Sequence, residues 1–441
     1  MTETLKRTIG SRDLTLLVIG NVIGSGIFLV PSAVMRQSGE SVPIAMSVWL
    51  IGGLLSLMGA LSYAELGSMD PGSGGLYSYV RDAFGAFPAF LYGWTLFFVI
   101  GAGTIAALAV AAAQYMTEFA PMSTLQKNIV AITLIVIMAV INVRGTKGST
   151  SVQNATTAIK VLAILVMGAF LIFLGDNFSA AVTTADVTNV SVPSVGLSII
   201  GVLWAFEGWQ YVTFVAGETR DPQRTLPKAL ILGTVLLIVI YMIANFAYVA
   251  ALGTSRMAAS DRVASEAVAQ VLGPAAGKAI ALAIIVSMYS AAHATVITAP
   301  RVYFAMARDG VFFKKLTEVH PTYGTPAIAI IASCVWAAVL AASGTFDQLL
   351  TYVVFIGWIF YALGAAAVIA LRIKRPNADR PFRVPGYPVT PVLFVLAAAA
   401  IVGNTVYAAP LESAIGIGMV LLGAPAYWVW RRITPSSQTP T

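Results

Sequence analysis

The chain has 441 residues, of which 58% are hydrophobic and 10% charged, with 26 Lys and Arg against 19 Asp and Glu. A mean hydropathy of +0.84 and a charged fraction well under the ~25% of soluble domains exclude a secreted domain, a cytosolic enzyme and a nucleic-acid binder. They read as an all-α polytopic membrane protein. The single cysteine, Cys334, lies in an apolar run, which excludes an internal disulfide framework and a thiolate metal cluster.

Apolar runs of about 20 residues, the length that crosses a bilayer core as a helix, recur along the chain. Residues 1–13 are polar, carry no cleavable-signal pattern and form a cytoplasmic N-terminus. Twelve spans follow, at 14–36, 42–66, 84–116, 126–143, 152–174, 193–217, 226–252, 264–306, 325–343, 347–373, 387–406 and 411–431. The third and eighth are long enough to tilt, and Gly273-Pro274 marks a break in the eighth. Gly175–Val192 is the largest outer loop and Arg372–Tyr387 the largest inner one; the polar tail Thr434–Thr441 reads as disordered.

Orientation follows from charge. With the N-terminus inside, 20 of the 26 Lys and Arg fall in inner segments, five (Arg36, Lys127, Arg256, Arg262, Lys278) in outer ones, and Lys160 within the membrane. That asymmetry matches the positive-inside rule and explains the basic balance as topology, with no nucleic acid needed. Both termini are placed in the cytoplasm of a cell (inner) membrane.

Two spans are interrupted near mid-depth. Span one reads Gly20-Asn21-Val22-Ile23-Gly24-Ser25-Gly26-Ile27-Phe28 and span six Gly201-Val202-Leu203-Trp204-Ala205-Phe206-Glu207-Gly208-Trp209. Unwound backbone survives in a bilayer only beside protein or a water-filled cavity, and breaks at matching positions of two halves mark an inverted-repeat transporter with a midplane site. The expected architecture is one membrane domain over 1–441. Two five-helix repeats (14–175 and 193–373) precede two added helices (387–431) and a tail (432–441). The half-helix starting after Gly24-Ser25-Gly26 offers free N–H groups and a positive dipole end to a carboxylate. The ends near Ile23 and at Ala205-Phe206 offer carbonyls to an ammonium. Together these suit a zwitterion bearing both groups on one carbon; the competing explanation is that the glycines serve close helix packing.

Several motifs, in order, carry a resemblance. They are Val22 to Phe28; Tyr63-Ala64-Glu65-Leu66-Gly67 with Pro71, Gly74, Gly75 and Tyr77; and Trp204 to Trp209. Gly217-Glu218-Thr219 with Pro222 and Leu226-Pro227 comes next, then Pro300-Arg301-Val302-Tyr303-Phe304 through Arg308-Asp309-Gly310. Over its first ten spans the chain resembles the amino acid–polyamine–organocation superfamily, most nearly the L-type amino acid transporter branch with its bacterial serine/threonine-type exchangers. The resemblance implies a LeuT-type fold of 5+5 inverted repeats plus two helices, alternating access, and L-amino acid substrates. The Gly24-Ser25-Gly26 backbone would meet the carboxylate, carbonyls of spans one and six near Ile23 and at Ala205-Phe206 would meet the ammonium, and Trp204 would close over the substrate as a gate; Ile27, Glu207 and Gln210 are further candidates to line the pocket. It further implies no cofactor. With no cysteine between spans three and four, it implies no disulfide-linked heavy subunit; a monomer is expected.

The ionisable residues refine this. In similar proteins a lysine at the place of Lys160 bridges span one to span eight and fills the sodium position, implying sodium independence; snorkelling is the alternative. Glu207 has three readings: contact with a cationic substrate, a coupling proton, or a structural bond within the break or to a span-ten tyrosine, the last preferred. Ser287 is placed beside the site, His293 as a neutral bundle residue, and Glu65, Glu218 and Asp309 in ion pairs with cytoplasmic arginines. The function expected is exchange of small or medium neutral L-amino acids. Proton-coupled uptake and cationic amino acid or polyamine antiport are alternatives within the same class. A major-facilitator carrier lacks its long central inner loop here, a channel would show no saturable counterflow, and an intramembrane protease built on Ser25 and His293 has no second motif.

Overall fold

The computed structural model describes residues 7–177, 192–343, 346–408 and 410–433. Most of the outer loop and the C-terminal tail therefore lie outside the described residues. Without water to satisfy it, a lipid-facing backbone must bond within its own segment. Accordingly the described residues form helices and no strand, with one isolated backbone bridge between Ile9 and Thr219. Proline sits in the first turn of helices at Pro43, Pro222, Pro274 and Pro300, where no intrahelical N–H bond is lost.

The first span is a pair, α1 (Ser11–Val22) and α2 (Gly26–Gln37), bent by 46°. Next come α3 (Val42–Met69), α4 (Leu76–Phe84), α5 (Ala86–Met116), α6 (Thr124–Val143) and α7 (Thr146–Leu174). The second interrupted span is α8 (Val192–Ala205) followed by a 3₁₀ segment, Trp209–Glu218. Then follow α9 (Pro222–Ala259), α10 (Val263–Leu272), α11 (Pro274–Thr298), α12 (Pro300–Arg308) and α13 (Ala327–Ser343). The last four are α14 (Phe346–Lys374), α15 (Val389–Ala408), α16 (Pro410–Leu421) and α17 (Gly423–Ile433).

Among the described residues ten helices are long and apolar enough to cross a membrane, eleven if the bent pair is one span. α13, at 17 residues, is the shorter apolar helix at the expected ninth span. The expected eighth span starts ten residues later than its apolar run: Gly273 and Pro274 cut off α10 as a separate short helix. The glycine-rich stretch after α3 is not all loop. It gives way to α4, whose Leu76, Tyr77, Tyr79, Val80 and Ala83 are buried, an amphipathic helix too short to register as an apolar run.

Burial separates an inner set of helices from a lipid-facing one. α5, the second interrupted span and α11–α12 are mostly enclosed by protein, whereas α6, α15 and α16–α17 show most of their apolar length outward. Leu125, Phe173, Leu396 and Leu411 are among the apolar side chains left outside, as expected where lipid replaces water. At the centre the interrupted spans lie antiparallel: α1 packs on the 3₁₀ segment, α2 on α8, and α9 runs across both halves of span one.

Candidate substrate site at two helix breaks

In span one the helix stops because Ile23 turns extended (φ −71°, ψ 90°) and resumes at Gly26. Among the described residues, no backbone carbonyl accepts from the N–H groups of Gly24, Ser25, Gly26 or Ile27. This is the cluster of donors at a helix start that anions seek. The preceding carbonyls are taken. Lys160 Nζ, on α7, donates to Gly20 O at 2.8 Å and Ile23 O at 2.5 Å. Ser287 Oγ, on α11, reaches Ile23 O at 3.1 Å and Gly24 O at 3.2 Å. Lys160 is fully enclosed and does not snorkel. Its cation meets the negative end of α1's dipole, which is where a cation is favoured.

In span six the chain turns at Gly208, whose φ of +121° disfavours any residue with a Cβ. The two breaks touch twice, Gly26 against the Ala205 backbone and Gly208 against the Asn21 carbonyl. Tyr241, on α9, ties them together: its hydroxyl lies 2.8 Å from Ala205 O and 3.2 Å from Val22 O. Trp204 Nε1 lies 3.4 Å from Ser25 Oγ, so the indole lies over the first break.

Glu207 is buried beside the start of the 3₁₀ segment. Its Oε1 accepts from Gln210 Nε2 at 2.7 Å and from the Tyr361 hydroxyl. Tyr361, on α14, is a span-ten tyrosine of the kind that the structural reading of Glu207 names as one of its partners. Gln210 also accepts from Gly208 N–H at 3.2 Å through Oε1, so both ends of its amide brace the break. The structure thus brings together Ile23, Gly24, Ser25, Gly26, Trp204, Ala205, Lys160 and Ser287. Ile27 and Phe206 are buried in the same core, while Glu207 and Gln210 bond mainly to the break itself. Ile23 O and Ala205 O are not free as expected, since Lys160, Ser287 and Tyr241 already donate to them.

His293 is buried and hydrogen-bonded, as expected, with Ser149 Oγ at 3.3 Å and Gln153 Oε1 at 3.2 Å. The three loop acids do pair with arginines. Arg372 holds Glu65 through two bonds of 2.9 and 2.6 Å. Arg301 Nε lies 2.6 Å from Glu218, and Arg81 lies 2.6 Å from Asp309. Burial, and then the Asp309 carboxylate that accepts its proton, push the Tyr77 hydroxyl above its ordinary range. Among the described residues no His, Cys, Asp and Glu cluster is suited to a metal. Sequence reasoning missed Tyr241, which sits in an apolar run with nothing to distinguish it from a packing tyrosine.

Comparisons with known proteins identify the family. The family model described as amino acid permease matches residues 9–428. The serine/threonine exchanger SteT of Bacillus subtilis (strain 168) is 33% identical over 427 residues, covering 96% of this chain and 97% of that protein. The large neutral amino acids transporter small subunit 2 of Homo sapiens is 32% identical over 437 residues, covering 96% and 80%. The human cystine/glutamate transporter is 30% identical over 435 residues, covering 97% and 85%. The chain therefore belongs to the amino acid permease family and is a membrane transporter rather than an enzyme.

Proposed function

We propose that this chain is a sodium-independent exchanger of small or medium neutral L-α-amino acids, working by alternating access in a twelve-span LeuT-type arrangement with both termini in the cytoplasm. The observation that carries it is the Lys160 ammonium on Gly20 O and Ile23 O, directly under the unpaired N–H groups of Gly24 to Ile27. A fixed cation there supplies the charge a bound sodium ion would supply, and the N–H cluster above it receives the substrate carboxylate. Ile23 O already has two donors and a carbonyl offers two lone pairs, so the substrate ammonium falls to the Ala205–Phe206 side. The antiparallel contact of the two breaks supports the inverted-repeat reading. The names of the relatives, an exchanger among them, support exchange.

Glu207 is assigned a structural role because Gln210 and Tyr361 both bond to it. Cys334 is buried in α13, which supports action without a disulfide-linked partner. The test is counterflow in proteoliposomes loaded with alanine, serine or threonine, with external sodium replaced by choline. Uptake that needs a loaded interior and ignores sodium is expected. Strict sodium dependence, or equal uptake into empty vesicles, would overturn the proposal. Uptake driven by an inward pH gradient into empty vesicles would replace exchange with proton coupling.

A further inference from the structure

One buried polar chain is not used by the site as described so far. On α7, Ser149, Gln153, Thr157 and Lys160 recur at the spacing of a single helix face. On α11, which packs against it, Ser287, Ser290 and His293 do the same. Ser149 Oγ donates to Asn142 Oδ1 at 2.6 Å and also lies against His293 Nε2. His293 Nδ1 lies against Gln153 Oε1, and Gln153 Nε2 donates to Thr157 Oγ1 and Ser290 Oγ, both at 3.1 Å. Each of these side chains is buried. The chain ends on span one: a Cβ at Gly20 would collide with Gln153 Nε2 and Thr157 Oγ1, so only glycine lets α1 lie this close. Gly20 is also the residue whose carbonyl Lys160 holds.

We propose that His293 and Gln153 are positioning residues for the first break. By fixing the register of α7 against α11, the polar chain makes Lys160 and Ser287 arrive together at the Ile23 carbonyl, and by seating Gly20 it fixes where α1 ends. A one-sided slip would strand Lys160 away from its two acceptors, at the high cost of an unpaired buried cation. His293 thus acts on the substrate site through Gln153, Gly20 and Lys160 without touching substrate. The assignment rests on the reading of Lys160 given under Proposed function.

The test compares His293→Leu, which keeps bulk and loses both bonds, with His293→Gln, which can bond in both directions. In exchange assays the leucine variant should raise KM at least about fivefold with a smaller change in maximal rate, and the glutamine variant should return KM to within about twofold of the parent. Deuterium exchange supplies a readout that needs no substrate. The leucine variant should speed exchange in the peptide covering residues 17–29, and should add nothing further there once Lys160 is alanine, since both act on one link. An unchanged KM, or faster exchange confined to α7 and α11, or effects that add to those of Lys160→Ala, would overturn the proposal. Ser290→Ala, a smaller cut in the same chain, carries the same comparison should the leucine variant fail to fold. A parent protein that exchanges no amino acid would defeat the functional reading alone; the deuterium result would still decide the positioning role.

Discussion

The two helix breaks are built from opposite charges. In span one the break follows the C-terminal end of α1, and a lysine from α7 sits on the orphan carbonyls. In span six Glu207 sits where the 3₁₀ segment begins, fastened by Gln210 and Tyr361. Lys160 complements the carbonyl end of α1, whereas the Glu207 carboxylate is held by the side chains of Gln210 and Tyr361. The difference lies in where the charge comes from. Lys160 reaches in from another helix, so the first break depends on how α7 is placed. Glu207 and Gln210 are local to the second break, which supplies its own acid and amide and borrows two hydroxyls, Tyr361's from α14 and Tyr241's from α9. In the first break four consecutive N–H groups, Gly24 to Ile27, meet no backbone carbonyl among the described residues, which is why the substrate carboxylate is proposed to bind there.

The most severe way to break that contrast is Lys160→Ala. Two carbonyls lose a charged donor, each such bond being worth ~1.5–3 kcal/mol. Exchange at low substrate should fall by at least roughly tenfold while the folded protein stays in the membrane. Normal exchange with unchanged apparent affinity would make Lys160 a bystander.

Gly208→Ala strikes the second break through its backbone. A Cβ at a φ of +121° would also stand 2.9 Å from Asn21 O. Strain of ~1–3 kcal/mol should cost roughly tenfold in exchange and lower the melting temperature in detergent. An unaffected melting curve would show that the turn relaxes freely.

Tyr241→Phe tests the tie between the breaks. One hydroxyl shared by Val22 O and Ala205 O is worth ~1 kcal/mol, so a loss of about fivefold is expected. Here the substrate KM and the thermal stability should change together, because both breaks loosen at once.

Glu207→Gln should matter least. The amide oxygen still accepts from Tyr361 and Gln210, so exchange of neutral substrates should stay within about twofold of the parent, with little change in its pH response. Glu207→Ala, which leaves both donors unpaired, should be worse. A parent that prefers arginine to alanine, and loses that preference in Glu207→Gln, would turn the second break into a reader of cationic side chains.

Much of this was legible in the residues alone, for physical reasons. Apolar length marks membrane-crossing helices one segment at a time, and the Lys and Arg asymmetry carries the proposed orientation. A Gly-Ser-Gly run or a Phe-Glu-Gly run in mid-membrane destabilises helix wherever it occurs, so both breaks, and Lys160 and Glu207 as buried charges, needed no structure to be found. What only the tertiary structure decided was which side chain meets which backbone group. That depends on the rotation and crossing of helices far apart in sequence, which periodicity does not encode. So Tyr241 was indistinguishable from a packing tyrosine, Ile23 O looked free although two donors occupy it, and Gln210 looked available although its amide is spent on the turn. The polar residues of α7 and α11 read as scattered serines and threonines until the packing of the two helices joined them into one chain ending at Gly20.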